Sequence, residues 1–310
     1  MHSSYKFSLL VPCYNAENYI DNFIKNINGL DKSFDEILFY DDASTDNSYQ
    51  LLTSRGYKVI RGTENKGAGH ARNKLIEYCS CEWVHFHDID DGLKPNYLTK
   101  VASIIERNKN VDVVLCNVDW YDARSKELLL NWKYSNSEIN LNSLKYTIAN
   151  PIGGINGLYR KSKVIEINGF NTHIRIWEDS DFHVRLASSK AAFYIIEEVL
   201  SYSLRYQNSA SADQSNAWLI RLRLLQEYSN TYFDPKILLE IGIQSQVAAS
   251  ALILQNQINA AKKAFQLSEK CGLPIPFSTS KIWTLLKLLF PASVRIKLRL
   301  FQLQYAFNKK

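Results

Sequence analysis

The chain is predicted to be an α/β protein, a doubly wound and mostly parallel sheet followed by a C-terminal helical region. Three observations predict this. From Phe7 to Asp91, strand-length apolar runs alternate with amphipathic helical patterns. Each run ends on a polar or acidic cluster, and ligands of open α/β sheets bind outside the carboxyl ends of the strands. Beyond about Asp213 the strand signals stop and long helical patterns take over.

Phe7-Ser8-Leu9-Leu10-Val11 reads as a buried strand cut off by Pro12, and Tyr14-Asn15 leads into a helix with Tyr19, Ile20, Phe23, Ile24 and Ile27 on one face. Glu36 to Tyr40 repeats the plan and ends in Asp41-Asp42, where Ala43-Ser44-Thr45-Asp46 offers N-cap chemistry to a helix carrying Tyr49, Leu51 and Leu52. A third strand, Tyr57 to Ile60, runs into Asn65-Lys66-Gly67-Ala68-Gly69, whose glycines allow close backbone approach to a ligand. A helix from about Ala71 to Cys79 follows. The fourth strand, Trp83 to His87, delivers Asp88-Ile89-Asp90-Asp91.

Three carboxylates at a strand's end repel one another unless a cation or several donors stabilise them. A hard divalent metal carrying a phosphate suits them. If the chain stays extended, Asp88 and Asp90 point to one side and Asp91 to the other. The metal is therefore placed first on Asp90, and Mn2+ or Mg2+ suits carboxylate, water and phosphate oxygens.

In this order, Val11-Pro12-Cys13-Tyr14-Asn15, Tyr40-Asp41-Asp42-Ala43-Ser44-Thr45-Asp46, Asn65-Lys66-Gly67 with Ala71-Arg72-Asn73, and His87-Asp88-Ile89-Asp90-Asp91 resemble the nucleotide-sugar domain of family 2 glycosyltransferases, which have the Rossmann-like GT-A fold. Trp177-Glu178-Asp179, followed by Phe182, Val184, Arg185 and Leu186, resembles the family's acidic element near the acceptor. The resemblance covers about residues 5 to 211. It implies a GT-A domain over 1–212, with a nucleotide-sugar half to about 115 and an acceptor half from about 116. The helical region then spans 213–310.

It also implies site roles. Pro12, Tyr14 and Asn15 would form the base-binding rim, where the Tyr14 ring offers a stacking surface. Asp42 would bond the N–H of a uracil-like base, and Asp41 would contact the ribose or cap the following helix. Asn65 and Gly67 would lie along the nucleotide. Arg72 would meet the diphosphate or base through its planar fork, and Arg205 the diphosphate. Asp88 or Asp90 would reach the ribose while Asp90 or Asp91 holds the metal, which neutralises the leaving nucleotide. Asp179, beside Glu178, would be the general base of an inverting transfer from a nucleotide-diphosphate sugar, UDP by family precedent. The same two acids would also favour the start of a helix through its dipole.

The chain departs from the pattern at Arg205-Tyr206-Gln207-Asn208-Ser209-Ala210-Ser211, where Gln207 stands at an expected histidine metal ligand. It also lacks the Q-x-x-R-W pattern of processive relatives, which argues for one sugar per encounter. A nucleotidyltransferase would announce a glycine-rich loop with a lysine near the first strand, and none is there. A catalytically silent protein of the same fold is disfavoured by intact Asp42, Asp90 and Asp179.

At 310 residues, 46% hydrophobic and 22% charged, the chain can bury a substantial core. The start does not read as a signal peptide, and no run reaches the length of apolar residues that spans a bilayer. Five scattered cysteines make a disulfide framework or a zinc site an unsupported reading, and His85 and His87 are expected in the core. From about residue 280 a basic amphipathic tail carries Lys281, Lys287, Arg295, Lys297, Arg299, Lys309 and Lys310 without an acid. Removing those seven charges turns +6 into −1, so basicity belongs to the tail and not to a nucleic-acid-binding patch. Interleaved Leu, Ile, Trp and Phe suit an anionic membrane surface, although Val294 to Leu300 also alternates like a strand and a self-packed helix fits as well. The expected setting is cytoplasmic, at the inner face of the membrane, with a glycan or lipid-linked glycan acceptor of bacterial surface polysaccharide synthesis.

Overall fold

The structure, a computed structural model, describes residues 5–153, 156–206, 213–274, 285 and 289–308. The chain forms two compact units, Met1–Ser209 and Ala210–Lys310. In the first, β1 (Phe7–Cys13), α1 (Ile20–Asn28), β2 (Glu36–Asp41), α2 (Ser48–Ser54), β3 (Lys58–Arg61), α3 (Ala68–Tyr78) and β4 (Trp83–Phe86) alternate as the apolar periods require. There follow β5 (Gly92–Leu93), α4 (Tyr97–Arg107), β6 (Val113–Asp122), β7 (Leu128–Trp132), α5 (Asn136–Leu141), α6 (Ser143–Ala149), β8 (Gly157–Arg160), α7 (Lys161–Glu166), α8 (Glu178–Ser188) and β9 (Phe193–Arg205).

One sheet joins all nine strands in the order β3-β2-β1-β4-β8-β6-β9-β5, with β7 on β6. The strands β1 to β4 pair in parallel, as does β6 with β9, while β8, β5 and β7 run antiparallel to their neighbours. Alternate residues feed two apolar layers. Phe7, Leu9 and Val11 join Phe39, Trp83 and Val114 under α1, α2 and α4. Leu10 joins Leu38, Val84, Phe86 and Val113 under α3, α6 and α8. Burying a Leu, Val or Phe side chain contributes about 1.5–3 kcal/mol each, so both faces of the sheet must be covered, and the two helical layers cover them.

Two details differ from the sequence reading. β1 does not stop at Pro12 but continues to Cys13, with Pro12 opposite Tyr40 of β2. Its pairing with β4 has already ended at Leu10 and Phe86, so the missing N–H of Pro12 removes no bond from a second neighbour. Nor does the chain stay extended after β4. Asp91 N–H bonds the Asp88 carbonyl at 3.0 Å, which folds the acidic stretch into a turn and cancels the two-sided alternation expected of it.

The second unit is helical: α9 (Gln214–Thr231), α10 (Pro235–Leu254), α11 (Ile258–Lys270) and α12 (Ala292–Asn308). Asp213 and Asp234 cap α9 and α10 by accepting the N–H of Asn216 and Lys236, and Pro235 opens α10. Among the described residues, α10 is the one helix long and apolar enough to cross a membrane, yet half of it is buried within the unit as in a core helix. In the tail, Lys281, Lys287, Lys309 and Lys310 lie outside the described residues, as does Gln207. Val294 to Leu300 is helical, not a strand. Arg295 and Ile296 are buried there, and Arg295 ion-pairs Glu269 of α11 at 2.9 Å.

All five cysteines are free and buried. Burial pushes the thiols of Cys13 and Cys116 up to about 12, so neither is a thiolate at neutral pH.

β5 is held by Gly92, where an added Cβ would fall 2.2 Å from the Tyr202 ring. Gly92→Ala should therefore displace the strand that immediately follows Asp91. Thermal unfolding is expected to show a loss of about 1–3 kcal/mol, and an unchanged midpoint would contradict the packing described.

Candidate active site

The polar ends of β1, β2 and β4, the start of α3 and the start of α8 bring the acidic motifs to one edge of the first unit. Asn15 sits at φ 48°, a left-handed conformation that Asn tolerates. Its side-chain oxygen accepts from Thr45 N–H at 2.9 Å, and its own N–H donates to Ser44 Oγ at 2.9 Å. The loops after β1 and β2 are thereby tied together, and Tyr14 between them is about half exposed. That leaves a ring face open beside the strand end.

Asp41 and Asp42 are both buried, for different reasons. Asp41 is fully enclosed, accepts Ser44 N–H at 3.3 Å and faces Arg61 Nε at 3.2 Å. It neither opens to a ribose nor caps α2, whose N-cap is Asn47. Asp42 accepts the backbone N–H of Lys66 at 3.0 Å and of Gly67 at 2.7 Å. It thus closes the loop that opens α3, which starts at Ala68, earlier than its apolar pattern indicates. Gly67 stands at φ 92°, a conformation few other residues adopt without strain. The Asn65 carbonyl accepts from Arg175 Nη2 at 3.3 Å.

The turn after β4 divides its carboxylates. Asp91 is spent internally: its Oδ1 accepts Leu204 N–H of β9 at 3.0 Å, and Ser203 adds a side-chain bond. It pins the turn to the sheet. Asp88 Oδ1 receives Arg72 Nη2 at 2.6 Å. Asp90 has its own backbone N–H and the field of Arg205, and burial together with Asp88 pushes it up to about 6. A divalent cation fits this donor set, because carboxylate charge stands here at a cost that a cation removes. Among the described residues no group of three His, Cys, Asp or Glu forms a metal cage. Asp90 and Asp88 would then hold such an ion with the help of phosphate and water oxygens.

Arg72 does not face solvent as a diphosphate ligand would. Its side chain is 3% exposed, with Nη2 on Asp88 and Nη1 on Glu178 Oε1 at 3.0 Å. The Phe170 ring lies 5.1 Å from the guanidinium carbon. Arg205, by contrast, stacks on Trp120 at 3.5 Å, close enough to the acidic turn for its charge to favour the ionised Asp90.

On the other side, α8 opens at Glu178 after Trp177, a non-glycine residue at φ 69°. Burial, then Asp179, pushes Glu178 up to about 7 while Arg72 pulls it back. Asp179 Oδ1 accepts Ser180 N–H at 3.0 Å. Buried His183, one turn on, places Nδ1 2.7 Å from the Asp179 carbonyl and Nε2 2.9 Å from Tyr159 Oη, and burial lowers it to about 4. Asp179 raises the pKa of buried Tyr134, next in weight to desolvation. The sequence carried no signal for Tyr134, Tyr159, Trp120 or His183 at this site. Tyr134, Tyr159 and Trp120 reach it through strand pairing across β6, β7 and β8, whereas His183 arrives on α8 itself, one turn after Asp179.

The family model described as glycosyl transferase family 2 matches residues 8–167, and one described as the N-terminal domain of galactosyltransferase matches 135–207. A processive diacylglycerol beta-glycosyltransferase of Mycoplasma pneumoniae is 26% identical over 255 residues, 74% of this chain and 72% of its own length. Among solved structures, Staphylococcus aureus TarS 1–349 in complex with UDP-GlcNAc aligns with a TM-score of 0.65 at 18% identity, covering 98% of this chain and 92% of that one. A Pyrobaculum calidifontis mannosyltransferase in complex with GDP-Man and Mn2+ aligns at 0.59 and 17% identity, covering 99% and 88%. At such identity these likenesses are of fold, and the fold is GT-A. With half the chain under one family model and every motif at the same sheet edge, the chain belongs to glycosyl transferase family 2.

Proposed function

We propose that this glycosyltransferase moves a sugar from a UDP-linked donor to a hydroxyl of a glycan or lipid-linked glycan, with inversion and with a divalent metal, in bacterial surface polysaccharide synthesis. The observation that carries the reading is the placement of two carboxylate groups, Asp88 with Asp90 and Glu178 with Asp179, on either side of one buried guanidinium. Taken as donor site and base, the two groups stand side by side across Arg72. The TarS complex supports UDP, and the diacylglycerol-directed relative supports a lipid-borne acceptor.

In this reading Tyr14, Pro12 and Asn15 frame the base, while Asp42 shapes the rim through the loop at Asn65 to Gly67. Asp88, Asp90 and Arg205 face the sugar diphosphate. Mn2+ or Mg2+, when bound, neutralises the charge left on the departing nucleotide. A sugar hydroxyl is too weak an acid to ionise in advance, so Asp179 takes its proton as the new C–O bond forms. The crowded Glu178–Asp179 pair favours that proton's arrival, since it removes a repelling charge. Attack from the face opposite the nucleotide inverts the anomeric centre.

The tail's role in this reading is membrane attachment. Leu289, Phe290, Leu298, Phe301 and Tyr305 are exposed beside Lys297, whereas Arg295 and Ile296 belong to the folded unit. Apolar burial and basic charge act together at anionic lipid, at about 1 kcal/mol per basic residue.

Three measurements test the proposal. Asp90→Ala should abolish metal-dependent UDP binding in titration calorimetry with Mn2+, and an unchanged affinity would remove the metal assignment. Asp179→Asn keeps the shape but not the base, so turnover should fall by ~10² or more with UDP affinity near that of the parent. Loss of folding or of nucleotide binding instead would make the residue structural. Phe301→Ser combined with Leu298→Ser should sharply reduce co-sedimentation with phosphatidylglycerol vesicles at an unchanged thermal midpoint. Undiminished sedimentation would show that this face does not meet lipid.

A further inference from the structure

The acidic turn after β4 and the start of α8 come from distant parts of the chain and meet at one side chain, Arg72. We propose that Arg72 is a positioning residue and not a donor ligand: it is the strut through which the Asp88 turn fixes the first turn of α8, and with it Asp179. The inference rests on the assignment of donor and base roles proposed above.

Four observations converge. Arg72 is almost wholly buried, and its two Nη atoms go to carboxylates from motifs far apart in the chain, Asp88 at 2.6 Å and Glu178 at 3.0 Å. A guanidinium presents donors in a rigid planar fork, so each carboxylate is located relative to the other, which a lysine's single ammonium would not do. The neighbouring Asn73 braces the same junction, donating Nδ2 to the Phe170 carbonyl at 2.8 Å and accepting Phe170 N–H at 2.7 Å. α3 also packs closely on the same segment one turn earlier, where a Cβ added at Gly69 would stand at ordinary contact distance from both Phe170 Cβ, 3.5 Å, and Glu178 Cγ, 3.8 Å.

The fourth observation is Trp177. A tryptophan in the left-handed region persists only where its surroundings over-determine it, and its successor Glu178 is the residue held by Arg72. The ion pair therefore offsets the backbone strain that turns the chain into α8. Without it, the segment can relax and swing Asp179 away from the donor.

The experiment compares the full chain with Arg72→Lys, Glu178→Gln and the double variant, by amide hydrogen exchange at residues 178–182, UDP affinity with Mn2+, and UDP release from UDP-GlcNAc. Each single variant should speed exchange at 178–182. Each should also lower kcat at least 20-fold while leaving UDP affinity within about threefold, and the double variant should be no worse than either single, because both break one link. If Arg72→Lys instead weakens UDP tenfold with kcat retained, Arg72 is a donor ligand and the strut is wrong. Additive losses, or unchanged exchange, also overturn it. If exchange responds as expected but the parent itself never turns over a UDP-sugar, the strut stands and the assigned function fails.

Discussion

Seven carboxylates meet at one sheet edge, and the organisation of the first unit depends on how each is compensated. Asp41 has Arg61 and Ser44 N–H, Asp42 has the N–H groups of Lys66 and Gly67, and Asp91 has Leu204 N–H. Asp88 and Glu178 share Arg72. Each compensation fixes a loop as well as a charge: the start of α3, the turn after β4 and the entry to α8. A low-dielectric edge makes unpaired charge costly, so the loops have few alternatives. What stays electrostatically expensive is concentrated at Asp90 and at the Glu178–Asp179 pair, which are the places where a cation and a proton would be welcome.

The fold makes that concentration possible. Parallel β1, β2 and β4 bring three strand ends to one side, and α3 joins the acidic turn to α8 through Arg72. The mixed second half of the sheet serves the same edge differently. Antiparallel β5 and β9 anchor the turn through Gly92 and Tyr202, and β9 supplies the Leu204 N–H that occupies Asp91. The parallel first half and the mixed second half are therefore parts of one hydrogen-bonded sheet.

Much of this was legible in the sequence, because the period of two along each strand and the polar residue at its end are local signals. The strands and most helices followed from them, and the family from the resemblance of the ordered motifs at those strand ends. The destinations of individual charges were not legible. That Arg72 meets Glu178, distant in sequence, and that Asp91 is bonded from β9 is visible only once the sheet is assembled. Pro12 reads as a stop until it is known that β4 has already ended there. In the tail, Val294 to Leu300 alternates like a strand yet is helical, with Arg295 paired to Glu269 of α11. In each case a tertiary partner overrode a pattern that local chemistry left ambiguous.

The most direct test of the account is the position of the metal in a crystal of the complex with UDP and Mn2+, read from anomalous scattering. The account predicts a manganese peak on the Asp90 carboxylate, with Asp91 still on Leu204 N–H and Arg72 still between Asp88 and Glu178. A peak on Asp91, or an Arg72 turned out onto the diphosphate, would contradict it.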